Sequence, residues 1–271
     1  APGNLAADAH GAAPASISVL ISGVLTKSGI YGIIRLTYFL FQSMGLGAMQ
    51  FLLVFVGSVS MFVCVTMALA QHDFKRLLAF HSISQIGYVL TAVGLSTALG
   101  MSAGLFHAMN HTMFNTTVLF LIGAASISGV PPFNGFASKW MIYQATYMKA
   151  VESGNIGFLL VTVIALVTSV LTLASFVKVT QSVFFGQLPA EYENVKEVPF
   201  GMRLAMGLFA AVCILSGIFP NWVTENLTQP AAEAVFNVGN YINSMLGAGY
   251  AESVMGANAP AAQAISFAGV G

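Results

Sequence analysis

Gly129-Val130-Pro131-Pro132-Phe133-Asn134-Gly135-Phe136-Ala137-Ser138-Lys139-Trp140 is the stretch that decides how this chain folds. It interrupts an otherwise apolar run from residue 101 to residue 147. Two adjacent prolines remove backbone N–H donors and break a helix. At membrane depth a broken helix exposes carbonyls and amides, which is tolerated only where they line protein-buried or watery space. The stretch therefore predicts a discontinuous helix around Pro131, Pro132 and Gly135, beside a cavity.

Composition agrees with a membrane setting. Of the 271 residues 57% are hydrophobic and 7% charged, where a soluble domain carries roughly 25% charged residues. Basic and acidic residues cancel, so there is neither a basic excess for nucleic acid nor an acidic face for a cationic partner. A bilayer core about 30 Å thick needs about 20 mostly apolar residues per helix. Seven runs qualify: 16–41, 51–70, 77–99, 101–125, 126–150, 157–185 and 200–223. The predicted fold class is all-α, a polytopic transmembrane helix bundle. It divides into a transmembrane domain over 1–225 and a C-terminal part over 226–271, in which 230–245 makes one interfacial or spanning helix before a tail of small residues.

Residues 1–15 lack the charged and apolar regions of a signal peptide, and a larger N-terminal part of the protein is expected beyond them. Cys64 and Cys213 sit in apolar runs without metal-ligand spacing and read as packing residues. With seven alternating spans, Lys75, Arg76 and Lys196 fall on one side and Arg35 and Lys149 on the other, which makes the first side cytoplasmic.

A charged side chain at mid-helix in lipid costs about 2.5–3.5 kcal/mol, so its presence demands a partner or a purpose. Lys27 lies deep in the first run. It reads either as a structural lysine capped by neighbouring carbonyls or as one that releases its proton readily, because removal from water disfavours the ammonium. His107 and His111 are four apart and share a helix face. The spacing would suit a metal pair, but no third ligand lies near in sequence. A proton relay fits better, since an ordinary imidazole titrates near 6.5. Lys139 is expected within the first turn of the helix that resumes after the prolines, where the helix dipole disfavours a cation. His81 reads as a satisfied helix-end histidine. Asp73, Lys75 and Arg76 read as an ion-pair group setting helix ends, and Lys178 as a snorkelling residue. No Walker loop, dinucleotide fingerprint or nucleophile elbow is present.

These strings resemble a known family. Asp8-Ala9-His10-Gly11-Ala12-Ala13-Pro14, Ser22 through Gly29 around Lys27, Asp73-Phe74-Lys75-Arg76-Leu77-Leu78-Ala79-Phe80-His81-Ser82, Leu105 through His111, and the proline stretch are similar to the antiporter-like membrane subunits of respiratory complex I, Mrp-type cation/proton antiporters and membrane-bound hydrogenases. The likeness covers about residues 8–225, in the family's order, and corresponds to the second half of a typical member. It implies inverted helix repeats with two discontinuous helices, one containing Lys27 and one Lys139. It implies Lys27 as central lysine, His107 and His111 as connecting histidines, and Lys139 as the terminal exchange site. His81, Asp73 and Lys75 would play supporting parts. The Pro-Pro-Phe-Asn-Gly-Phe form is closest to hydrogenase-type members.

There are three departures. The first repeat with its entry glutamate is not in this sequence. The helix over 51–70, where members often carry a lysine or histidine, offers only Ser58, Ser60 and Thr66, so hydroxyls or water would bridge that step. Members also have a further helix and loops after the paired histidines, and a lysine where Asn115 stands; residues are therefore expected to be missing between Phe114 and Asn115, which would reverse the alternation used for orientation.

The resemblance implies a proton-translocating membrane subunit of a redox-driven complex of membrane-bound hydrogenase or complex I type. The alternatives are an Mrp-type sodium/proton antiporter module and a non-pumping scaffold. The subunit would hold no cofactor and no metal. Its partners would be other membrane subunits, the lipid bilayer, and protons or sodium ions, with no nucleic acid. It would lie in a prokaryotic cytoplasmic membrane.

Overall fold

The computed structural model describes residues 17, 21–41, 45–116, 120–185, 199–247 and 249. The string 8–14, the loop containing Lys196, the tail beyond 249 and the side chains of 114–121 lie outside the described residues.

All regular structure among the described residues is helical. A five-residue π turn, Ile21–Leu25, leads into α1 (Thr26–Ile34), and a second π turn, Arg35–Leu40, ends that arm. Next come α2 (Gly47–Leu69), α3 (Phe74–Gly94), α4 (Ala98–Thr116), α5 (Phe120–Ser128), α6 (Asn134–Ser153) and α7 (Ile156–Phe184). The chain closes with α8 (Phe200–Ile218), α9 (Pro220–Val223), a π turn at Thr224–Thr228, α10 (Gln229–Phe236) and α11 (Val238–Leu246).

Local chemistry sets the ends. The Asp73 carboxylate accepts the backbone N–H groups of Lys75 at 2.8 Å and Arg76 at 3.3 Å, capping α3. The Asn155 side chain accepts from Gly157 N–H at 2.8 Å, capping α7. Pro220 starts α9, where its missing N–H costs nothing.

Packing places α3 at the centre. The spanning window of α3 is 78% buried, against 33% for α2 and 28% for α7. Helices α2 and α3 make the most extensive contact. At their crossing a side chain on Gly57 would lie 2.7 Å from Thr91 N, and one on Gly87 would lie 2.7 Å from Gly57 O. Close backbone approach at small residues is how helices associate where hydrocarbon surrounds them. The outer faces carry exposed Phe51, Phe55 and Phe62 on α2 and Leu160, Val163 and Val170 on α7, an apolar surface that belongs in lipid or against partner subunits.

The seven expected runs are corrected in several places. By length and composition three described helices can cross a membrane: α2, α3 and Ile156–Ser182 of α7. Arg203–Ile218 with Pro220–Phe236 makes a fourth if the pair, bent by 98°, is one span. Helices α4 and α6 carry the buried histidines, asparagines and lysine, which dilute the apolar signal by which spans are recognised. The run 101–125 divides between α4 and α5, and residues 126–128 belong to α5 rather than to the run that follows. The run 200–223 ends at Ile218, because Pro220 cannot continue the α8 ladder. The single helix expected over 230–245 is two, separated at Asn237, whose φ and ψ of −98° and 64° are not helical.

Candidate functional site

The buried polar groups gather where α1, α3, α4 and α6 meet. The break between α5 and α6 builds one end. Pro131 and Pro132 occupy the gap, joined by a cis peptide bond, and Gly129 takes a left-handed φ of 77°. Gly135 admits no side chain, because a Cβ there would overlap the Ser126 carbonyl. Three polar side chains hold the break against α4. Asn110 Nδ2 donates to the Asn134 carbonyl at 3.1 Å, Asn134 Nδ2 donates to Asn110 Oδ1 at 2.9 Å, and Ser126 Oγ donates to Asn134 Oδ1. Asn110, Ser126 and Asn134 are fully buried, so unpaired partners here would each cost about 1–3 kcal/mol.

Lys139 is 1% exposed. It is the sixth residue of α6, which corrects the expected first-turn position. Its side chain reaches back to the freed end of α5: Nζ donates to the Ile127 carbonyl at 2.8 Å and to Ser169 Oγ at 3.5 Å. A helix C-terminus leaves carbonyls without intrahelical partners and carries partial negative charge, so the cation faces the favourable end of α5. Nζ also lies 5.2 Å from the centre of the Tyr88 ring, a cation–π contact. The other face of the site brings the Tyr88 and His107 rings within 5.6 Å.

His107 and His111 are both fully buried on one face of α4. His107 Nδ1 is 2.9 Å from Ser138 Oγ, and its Nε2 is 3.0 Å from Gln85 Oε1. His111 Nδ1 is 2.6 Å from Lys27 Nζ. Lys27 is half-buried, and its Nζ also donates to the Ser22 carbonyl at 2.5 Å. That carbonyl lies in the π turn Ile21–Leu25, which passes into α1 without a break, Leu25 being helical at φ −61° and ψ −41°; among the described residues the helix of Lys27 is therefore widened rather than interrupted. Ser22 Oγ and Ser82 Oγ, 2.8 Å apart, tie the turn to α3.

The structure thus joins Lys27 to His111 and His107 to α6, and seats Lys139 one residue beyond Ser138. It does not bring the other expected residues into this line. Ser58 returns its hydroxyl to the Val54 carbonyl at 2.6 Å within α2. Asp73 and Lys75 are exposed at the start of α3, where Asp73 acts as a cap. Lys178 is exposed, with Nζ 3.3 Å from the Leu69 carbonyl and 3.5 Å from that of Gln71. Cys213 is buried and Cys64 only half-buried. His81 is not a helix-end residue: it is wholly buried, its Nε2 pairs with Ser175 Oγ, and its ring lies 4.7 Å from that of Phe176. Gln85, Asn110, Asn134, Ser138 and Tyr88 escaped the sequence reading. Asn110 and Ser138 adjoin His111 and Lys139 in sequence, and Gln85 is four residues beyond His81, so a search for polar residues at helical spacing around the ionisable ones would have found them.

Residues 6–125 match the family model described as NADH:quinone oxidoreductase/Mrp antiporter, transmembrane. Over those residues, which include Lys27, His81, His107 and His111, the chain is similar to that family. It is 32% identical to hydrogenase-4 component B of Escherichia coli, over 82% of this chain and 40% of that protein. It is 30% identical to a Na(+)/H(+) antiporter component of Alkalihalophilus pseudofirmus, over 82% of this chain and 34% of the relative. Among solved structures, the membrane-bound sulfane sulfur reductase, an archaeal respiratory membrane complex, matches with a TM-score of 0.73 at 28% identity, covering 82% of this chain and 42% of that one. The chain therefore spans less than half the length of these relatives. It is an integral membrane protein with the antiporter-like helical fold.

Proposed function

We propose that this chain is the proton-carrying part of a membrane subunit in a redox-driven complex, of hydrogenase or complex I type. The observation that carries the reading is the line of half-buried Lys27 and fully buried His111, His107 and Lys139 inside an apolar bundle. A charge in hydrocarbon costs about 2.5–3.5 kcal/mol, and ionisable residues retained there mark ion pathways by default. Two lysines and two histidines offer groups that hold a proton in one state and accept it in the other.

The steps follow from the contacts. The Lys27 ammonium passes a proton to His111 Nδ1, 2.6 Å away. Internal water carries it between the histidines, whose Cβ atoms stand about 5–6 Å apart at four-residue spacing. His107 Nδ1 exchanges with Ser138 Oγ at 2.9 Å, and Lys139 exchanges with one aqueous side. Ser58, Asp73 and Lys75 take no direct part in this sequence of steps. The oxidation and reduction belong to other subunits of the complex, so this subunit holds no cofactor and its partners are neighbouring membrane subunits.

A second reading is favoured by the likeness to the Na(+)/H(+) antiporter, namely a module driven by a sodium gradient in place of redox energy. Replacing Lys27 by Met in the whole complex tests both against a scaffold. The relay predicts normal assembly with proton uptake lost, while a scaffold predicts lost assembly. Assembly with undiminished uptake would sink the role given to Lys27. A requirement for sodium rather than a redox donor would select the antiporter reading.

We further propose, from the family likeness in the sequence, that a segment stands between Phe114 and Asn115 in the whole protein. The alignment with hydrogenase-4 component B runs over 271 positions yet draws on 82% of this 271-residue chain, so nearly a fifth of its positions face no residue here. Sequencing the encoding gene across this junction tests it; an uninterrupted reading frame joining the two codons would refute it.

A further inference from the structure

The two prolines of the break free two particular carbonyls. In an unbroken helix the Ile127 and Ser128 carbonyls would accept from the N–H groups four positions on, but those positions are Pro131 and Pro132, which have none. Backbone amides recover the acceptors before them: Val130 N–H bonds the Ala125 carbonyl and Gly129 N–H the Ser126 carbonyl, each at 3.0 Å. Side chains meet the freed pair. Lys139 Nζ donates to the Ile127 carbonyl at 2.8 Å, and Ser169 Oγ donates to that of Ser128 at 3.4 Å. Lys139 Nζ also reaches Ser169 Oγ at 3.5 Å, so one ammonium sits at a knot of oxygens drawn from α5 and α7.

Several features make this knot a seat for cations in general. A helix C-terminus carries partial negative charge, and in membrane transporters the carbonyls at such broken ends coordinate sodium ions or protons. Ser128 is 4% exposed and its hydroxyl has no partner, so a further buried oxygen stands uncommitted on the residue that supplies one of the carbonyls. Ser128 also lines a cavity of about 320 Å³ between α5 and α7, together with Thr180 and Gln181. A Cβ at Gly129 would lie 3.3 Å from Lys139 Cδ and 3.6 Å from Ser169 Oγ; its absence keeps that flank of the seat open.

Resting on the exchange role given to Lys139, we propose that the freed end of α5 with Ser169 binds a dehydrated alkali cation, sodium or potassium, in exchange for the Lys139 proton. The Ile127 and Ser128 carbonyls and Ser169 Oγ hold the ion, and the Lys139 stem, which is long and unbranched, draws back to admit it. The step balances. One Nζ–H bond breaks and its proton leaves to the aqueous side with which Lys139 exchanges. The neutral amine keeps its lone pair, and one positive charge enters as one departs. These ligands are dipoles without a carboxylate, which suits a single charge rather than a divalent ion.

The test uses the whole complex in choline chloride, with sodium or potassium chloride then replacing choline at constant ionic strength. Methionine ends one atom short of the lysine nitrogen, so Lys139→Met leaves the seat unfilled. Sodium or potassium should raise the melting temperature of the Lys139→Met complex above its value in choline, because an ion that binds only the folded state stabilises it. The salt giving the larger rise names the ion. Lys139→Met/Ser169→Ala should lose most of the rise; no rise in Lys139→Met, or an equal rise in both variants, would overturn the seat. In the parent, the same salt added to weakly buffered complex should release about one proton per subunit, and Lys139→Met should abolish that release. Absence of release from the parent would overturn the exchange even if Lys139→Met fails to assemble. Vesicle measurements keep the two readings apart. Proton movement lost in Lys139→Met with no effect of alkali salt would overturn the seat and leave the central line standing, whereas undiminished proton movement would overturn the exchange role of Lys139 itself.

Discussion

Lys139→Met separates a relay from a structural lysine, because its effect on stability can be worked out beforehand. The ammonium donates to the Ile127 carbonyl at 2.8 Å and lies 5.2 Å from the Tyr88 ring centre. Removing it leaves a buried acceptor unsatisfied, at about 1–3 kcal/mol, and forfeits a desolvated cation–π contact of about 2 kcal/mol. Against this, the variant no longer holds a charge in the bundle, a relief of about 2.5–3.5 kcal/mol. Methionine is unbranched and fills the channel left by the lysine stem. These effects largely offset one another, so the net destabilisation is at most about 2.5 kcal/mol. The complex should therefore assemble and melt close to the parent while proton movement in vesicles falls below detection. Native-gel mobility and a thermal melt read the first part; dye quenching beside turnover reads the second. Assembled Lys139→Met complex that still moves protons at the parental rate would refute the role of this residue. Loss of the complex would refute the compensation, and with it the view that Lys139 is not simply a structural tie.

Gly135→Ala should destabilise the protein by about 3 kcal/mol or more, since the new methyl overlaps the Ser126 carbonyl and overpacking against backbone has no easy relief; a parental melting temperature would contradict that geometry. Tyr88→Phe loses the hydroxyl donation to the Ala165 carbonyl at 2.6 Å, about 1 kcal/mol, but keeps the ring beneath Lys139, so proton movement should survive; its loss would assign the hydroxyl a part in transfer. Asp73→Ala removes an exposed cap of α3 and should lower stability by about 1 kcal/mol without altering protons moved per turnover, which vesicle measurements would check.

The amino-acid sequence by itself determined the membrane setting, the helical class, the break at Pro131-Pro132 and the ionisable residues worth attention. Those follow from composition, run length and proline chemistry, all of which act locally along the chain. Lys27, His107, His111 and Lys139 were legible because charge in an apolar run is conspicuous. Tertiary structure alone decided which of them meet. It set Lys27 against His111 across 84 residues of sequence, turned Lys139 back onto the spent end of α5, and buried His81 against Ser175, 94 residues away. It also recruited Gln85, Ser138 and Asn134, uncharged residues that stand out only once burial has removed the water that would otherwise satisfy them. Helical periodicity tells which face a residue occupies; only the packing of one helix on another tells what that face touches.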